Sequence, residues 1–65
     1  MEQMEYTFYV QGIPPKEVKE AEVIEIERIF GDWHKFTLRF QKHKLREVAE
    51  TLRRLGLRLA SSANY

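Results

Sequence analysis

The stretch EVIEIERIFGDWHKFTLRF, residues 22–40, decides between a sheet-based and a helical fold. Apolar and polar residues alternate over its first part, and its β-branched side chains favour an extended chain. The sequence therefore predicts a strand with two different faces. One predicted face carries Ile24, Ile26 and Phe30, and the other carries Val23, Glu25, Glu27 and Ile29.

A helix over residues 14–30 is the competing interpretation, because several apolar residues of this segment also recur at helical spacing. The pair Gly31-Asp32 favours the strand, since Gly-Asp between two alternating runs is a signal for a two-residue hairpin turn. Residues 33–40 then form the return strand of a hairpin.

The return strand and residues 4–11 share a period of two, which predicts one buried and one exposed face for each. The predicted buried residues are Met4, Tyr6, Phe8 and Val10 in the first strand, and His34 or its neighbours Phe36, Leu38 and Phe40 in the return strand. The predicted exposed residues of the return strand are Trp33, Lys35, Thr37 and Arg39.

Residues 41–55 form the clearest predicted element, an amphipathic helix. Its apolar residues recur at helical spacing, and Gly56 follows as the expected helix stop. Glu50 and Arg54 stand four residues apart in the favourable order for an ion pair. The predicted stripe, which should face Phe8, Ile24, Ile26, Phe36 and Leu38, consists of Leu45, Val48, Ala49, Leu52 and Leu55.

Two shorter elements complete the prediction. Pro14 and Pro15 suit a first helical turn, so residues 16–21 are expected to form one or two turns of helix. Leu57 and Leu59 indicate a short last strand, and residues 61–65 a frayed tail.

The elements predict an α+β fold in which residues 1–65 form a single domain. We expect a small antiparallel sheet of three or four strands with one main C-terminal helix. The expected order along the chain is a compressed, ferredoxin-like βαββαβ.

Composition places the chain among globular proteins, with 43% hydrophobic and 32% charged residues. There is no cysteine and no apolar run long enough to cross a membrane, so we expect a cytoplasmic protein without a membrane association. The preference for Lys, Arg and Glu over Asp is reported for heat-adapted proteins and suggests thermostability.

The charge is distributed unevenly along the chain. Residues 1–32 hold eight acids and three bases, whereas residues 33–65 hold eight bases and two acids. Such a division either compensates internally across the fold or gives one face an acidic partner.

Nothing in the sequence predicts catalysis. His34 and His43 lack a third ligand at a metal-binding spacing, and Ser61 and Ser62 have no nucleophile context. No glycine-rich phosphate loop is present. We therefore expect a non-enzymatic protein with no metal, cofactor or small-molecule substrate.

The segment YVQGIP, residues 9–14, resembles the first-strand signature of RRM-type RNA-binding domains. Those domains carry a second signature with glycines on the third strand, but HKFTLRF contains none, and Phe36 and Phe40 fit the core. A small RNA- or DNA-binding domain, using Tyr9, Trp33 and a basic helix edge, is the alternative function.

The chain as a whole resembles the small archaeal inhibitors of the sliding clamp PCNA, through MEYTFYV at residues 4–10 and KHKLREVAETLRRLGL at residues 42–57. The resemblance implies a protein that occupies the clamp site for clamp-binding peptides, disrupts the trimeric ring and blocks DNA replication and repair.

The usual clamp-binding peptide, Gln-x-x-aliphatic-x-x-aromatic-aromatic, does not transfer to this chain. The nearest approach has Tyr6 in the aliphatic position and Val10 in the last aromatic position, after Gln3 and with Tyr9. The expected partner-binding residues are exposed aromatic anchors and basic residues that meet an acidic surface: Tyr9, Trp33, Lys42, Lys44, Arg46 and Arg53.

Overall fold

The architecture is described from a computed structural model, which covers residues 2–60. Four strands form one antiparallel sheet, which is packed against a single α-helix, so the fold is α+β. The spatial order of the strands is β2-β3-β1-β4. In chain order the elements are β1 (Gln3–Gln11), β2 (Glu22–Phe30), β3 (Trp33–Gln41), a 3-10 turn (Lys42–Lys44), α1 (Leu45–Arg54) and β4 (Arg58–Leu59).

The element order differs from the expected βαββαβ, because no helix forms between β1 and β2. The helix α1 is also followed by β4, so it is not the C-terminal element. The expectation of helical turns at residues 16–21 is wrong. Ala21 N–H donates to the Val18 carbonyl across a turn, and Glu20 has a positive φ of 64° that a right-handed helix cannot contain.

The β2–β3 hairpin is confirmed, and the competing helix over residues 14–30 is excluded. Gly31 and Asp32 form the connection, and Phe30 pairs with Trp33 across it. Gly31 has a φ of 55°, which glycine adopts without the steric cost of a side chain.

The predicted faces of β2 are wrong, because the pairing with β3 shifts twice. One shift lies between Val23 and Glu25, and the other between Arg28 and Phe30. Each shift adds a residue to β2, as in a β-bulge, and reverses the alternation beyond it. Opposite β3, the partners are therefore Val23 with Leu38, Ile26 with Phe36, and Phe30 with Trp33.

The core lies between α1 and the β1–β3 pair. The predicted burial of the aromatic and aliphatic residues of β1 and β3 is confirmed for Phe8, Val10, Phe36, Leu38 and Phe40, which meet Val48, Ala49 and Leu52 of α1. Val18 and Leu57 join this cluster from outside the regular elements.

Four details of the predicted core are wrong. Ile24 and Ile26 are largely exposed, because β2 lies at the edge of the sheet. Leu55 is 56% exposed at the end of α1. Thr37, expected at the surface, is buried in the central strand β3, where its hydroxyl lies 2.9 Å from that of Thr7.

The helix starts later than predicted, at Leu45, after the 3-10 turn. Its predicted stop at Gly56 is confirmed. Gly56 has a φ of 92°, and its N–H donates to the Arg53 carbonyl, while Leu57 N–H donates to the Leu52 carbonyl. These two bonds are those of a Schellman motif, and they direct the chain into the short last strand.

On the helix surface, Glu50 pairs with Arg53 at 3.7 Å, one position before the expected Arg54. The predicted tail, residues 61–65, lies outside the described residues. Within residues 2–60, every helix is too short to cross a membrane.

Candidate protein-binding surfaces

Three aromatic side chains occupy neighbouring positions at one end of the sheet, on the face opposite α1. Trp33 pairs with Phe30 of β2, and its other neighbour is Gln11 of β1. Tyr9 lies two residues further along β1, on the same face. Phe30 is 64% exposed, Tyr9 is 45% exposed and Trp33 is half-buried. We call Tyr9, Phe30 and Trp33 the aromatic end.

The rest of this helix-free face is polar and rich in charged residues. Arg39 bridges Glu5 of β1, at 2.9 Å, and Glu22 of β2, at 3.1 Å. The hydrogen bond to Glu5, followed by the charge of Glu22, raises the pKa of the Arg39 guanidinium above its ordinary value. Such a cross-strand row of alternating charge favours the observed register of the three long strands by a small amount.

Acids outnumber bases on the helix-free face. The register places four acids on it, Glu5, Glu22, Glu25 and Glu27, and three bases, Lys35, Arg39 and Arg58. Lys35 lies 4.0 Å from Glu27, whereas Glu25 stands opposite Thr37. Between residues 2 and 60, no ion pair or hydrogen bond is recorded for the Glu25 carboxylate. This face therefore carries a net negative charge beside its aromatic end.

The basic residues expected beside the aromatics lie elsewhere. Lys42 and Lys44 follow the far end of β3, so at about 3.3 Å per strand residue they are roughly 30 Å from Trp33. Lys44 is held by Glu20 at 3.2 Å and Glu47 at 3.4 Å. Its hydrogen bond to Glu20, more than any other cause, raises the pKa of Lys44 above its ordinary value.

Arg46 and Arg53 lie on the exposed surface of α1, on the other side of the sheet from the aromatic end. Arg53 lies 3.7 Å from Glu50, and Arg46 borders a shallow groove beside Glu47. The structure thus brings Tyr9 and Trp33 together and separates both from the four basic residues.

Sequence reasoning missed Phe30 and the exposure of β2. A regular alternation places Phe30 on the same face as Ile26, which is the face expected toward the helix. No residue type in β2 indicates the two shifts of register that move Phe30 to the other face. A signal for the exposure was present: residues 16–21 contain only Val18 and Ala21 as apolar anchors, too few for a second helix that would cover β2.

Within residues 2–60, the titratable side chains do not form a metal-binding cluster. His34 lies near the hairpin turn, with Nδ1 3.2 Å from the Asp32 carbonyl oxygen, and His43 lies at the opposite end of β3. In the part of the chain that the structure describes, no three His, Cys, Asp or Glu side chains group together as metal ligands.

Comparisons with protein-family models, with curated proteins and with solved structures find no match for this chain.

Proposed function

We propose that this chain is a non-enzymatic, cytoplasmic inhibitor of the PCNA sliding clamp, which binds a clamp subunit at the site for clamp-binding peptides and disrupts the trimeric ring. The observation that carries the proposal is the aromatic end, in which Tyr9 and Phe30 are exposed and Trp33 is half-buried. The identity of the partner rests on the resemblance of the chain to archaeal clamp inhibitors.

The mechanism is occupation of a pocket, without chemistry. Exposed aromatic side chains supply large contact areas at a small entropic cost, and Trp and Tyr are frequent hot spots of protein interfaces. Phe30 and Trp33 are held by the hairpin turn between them, so little conformational freedom is lost when they enter an apolar pocket.

The basic residues were expected to contact the partner beside the aromatic anchors, and their distance from Trp33 suggests a different role. A standard interface covers about 800 Å² per partner, which is roughly 30 Å across. Contacts by both Lys42 and Trp33, which are roughly 30 Å apart, therefore require that the full width of such an interface lies along the strands. In a smaller interface, Lys42 and Arg46 act by long-range attraction to an acidic clamp surface during association.

Nucleic-acid binding is the alternative, and the charge distribution favours it less. The aromatics share a face with more acids than bases, and the basic residues of α1 lie on the other side of the sheet. A phosphate backbone that followed the aromatics would meet Glu25 and Glu27. A gel shift with mixed oligonucleotides at low salt tests this alternative directly.

The decisive test is size-exclusion chromatography with light scattering on the chain mixed with an archaeal clamp. We expect the trimer peak to shrink toward a one-to-one complex. An unaltered trimer without bound small protein contradicts the proposal.

Variants identify the anchor. We expect Trp33→Ala or Phe30→Ala to raise the dissociation rate by the equivalent of about 2 kcal/mol. The matched control is Leu55→Ala, since Leu55 is about as exposed as Phe30 but lies just after α1, and it should leave the dissociation rate unchanged. Charge reversal at Lys42 should mainly slow association and reduce its salt dependence.

A further inference from the structure

The outer edge of β2 is the longest unpaired backbone surface of the described chain. β2 has nine residues and pairs only with β3. On the opposite side of the sheet, β4 pairs with Val10 and Gln11 of β1, so the open side of β1 is shorter than that of β2. Within residues 2–60, no backbone hydrogen bond from another element reaches the outer side of β2. An edge of this kind presents alternating N–H and C=O groups that another strand can pair with.

The two register shifts limit the usable part of this edge. Residues 25–28 pair regularly with β3 between the shifts, and we call them the edge window. Within it, Glu25 and Glu27 lie on the helix-free face, and Ile26 and Arg28 lie on the other face. Ile26 is 41% exposed, so an incoming strand would find apolar surface as well as free backbone groups.

A second copy of this chain does not fit the edge window. Two copies of β2 that pair antiparallel are related by a two-fold axis normal to the sheet, so each register is centred on one residue. Centring on residue 25 or 27 places a glutamate opposite its own copy, and centring on 26 places Glu25 opposite Glu27 twice. Centring on 28 places Arg28 opposite Arg28. Like charges directly opposite each other are destabilising.

The same glutamates suit a basic strand. The Glu25 carboxylate has no ion pair within the described chain, and the distance from Glu27 to Lys35 is 4.0 Å. We propose that the edge window binds an extended segment of another protein by strand addition, with Lys or Arg opposite Glu25 and Glu27 and an apolar residue opposite Ile26. Main-chain bonds then supply affinity, and the alternating side chains supply specificity.

The edge window ends two residues before Phe30 and includes none of the three aromatic anchors, so the proposal does not depend on clamp binding. The probes are two capped peptides, one in which valine alternates with lysine and one in which valine alternates with glutamate. Binding is followed by amide chemical shifts of the labelled protein. We expect the lysine peptide to bind about tenfold or more tightly than the glutamate peptide, with the largest shift changes in the edge window.

Charge reversal in the edge window is a more specific test of the proposal. The double variant Glu25→Lys with Glu27→Lys should reverse the preference between the two peptides. The matched control is Glu47→Lys with Glu50→Lys, which makes the same change of net charge on α1 and should keep the preference of the unmodified protein. Circular dichroism establishes that each variant is folded before binding is compared.

Three results would overturn the proposal. They are the absence of shift changes with the lysine peptide at the highest soluble concentration, shift changes centred on β1, β4 or α1, and an equal loss of preference in the α1 control. A concentration-dependent dimer that protects the edge window would show that a second copy is the occupant instead.

Discussion

The two strands of the central hairpin, β2 and β3, have similar alternating sequences and opposite surroundings. β3 lies between two strands and under α1, and Phe36, Thr37, Leu38 and Phe40 are buried. β2 has no buried residue, although it contains three isoleucines. The difference teaches that an apolar stripe on a strand becomes core only where a second layer covers it.

β2 is poorly covered on the face toward α1, because the segment between β1 and β2, residues 12–21, forms no helix. This crossover segment packs into the core only through a few small contacts, chiefly Val18. A helix there would have supplied an apolar face over Ile26. An irregular segment leaves that side of β2 partly open to solvent and available for binding.

The largest expected effect compares two residues that face each other across the hairpin, Phe36 and Ile26. Phe36→Ala should cost about 3 to 5 kcal/mol, because it empties a fully buried position, whereas Ile26→Ala should cost about 1 kcal/mol. Urea unfolding measures both. If Phe36→Ala does not fold, Phe36→Leu replaces it in the comparison. Equal losses of folding free energy at Phe36 and Ile26 would contradict the difference between the two strands.

The second comparison uses two leucines of one helical segment. Leu52→Ala should cost about 2 to 5 kcal/mol, since Leu52 is fully buried against the sheet. Leu55→Ala removes the same atoms from an exposed position and should change stability by about 0.5 kcal/mol or less. Thermal unfolding distinguishes them, and an unchanged melting temperature for Leu52→Ala would remove Leu52 from the core.

A third effect concerns Gly12, where the crossover segment begins. Gly12 has a φ of 120°, and a Cβ added there would lie 3.0 Å from Leu57 Cδ2. Gly12→Ala should therefore cost about 1 to 3 kcal/mol. Gly31→Asn is the control, because Gly31 has open space around it and Asn tolerates its φ of 55°. Equal, small losses for both variants would contradict this account of the crossover.

The smallest expected effect is a pH dependence of the folding free energy. It arises at the other end of the crossover segment, where Glu20 pairs with Lys44. The folded-state pKa of Lys44 is raised above the ordinary value of 10.5. The pair therefore stabilises the fold fully below that pH, and its contribution disappears as the pH rises through the raised pKa. Lys44→Met should lower the urea midpoint at neutral pH, and its difference from the unmodified protein should shrink in strong alkali.

The control for this pH effect is Lys42→Met, because no ion pair is recorded for Lys42 within residues 2–60. Its difference from the unmodified protein should not vary over the same pH range. A difference for Lys44→Met that stays constant through strong alkali would contradict a role for its ion pair.

Local signals were sufficient for much of the fold. The hairpin turn at Gly31-Asp32, the helix stop at Gly56 and the burial of Phe36, Leu38 and Phe40 in β3 each follow from one short pattern. The faces of β2 could not be predicted, because a shift of register depends on pairing with another strand and leaves no mark in the alternation itself.

The candidate site was predictable only in part, for a related reason. The exposure of Tyr9 and its place beside Trp33 follow from alternation and from antiparallel pairing. The distance between the aromatics and Lys42 depends on where each strand ends, and the sequence order alone does not give it. Phe30 joined the site only through the second register shift.

Native-state hydrogen exchange tests most directly whether the two hairpin strands differ as described. Every amide of β3 has a neighbouring strand, so β3 should exchange only on global unfolding. Every second amide of β2 should exchange rapidly in the free protein and become protected on addition of the valine-lysine peptide. Continuous protection of β2 at the level of β3, without any peptide, would contradict the account, because the edge would then already be covered.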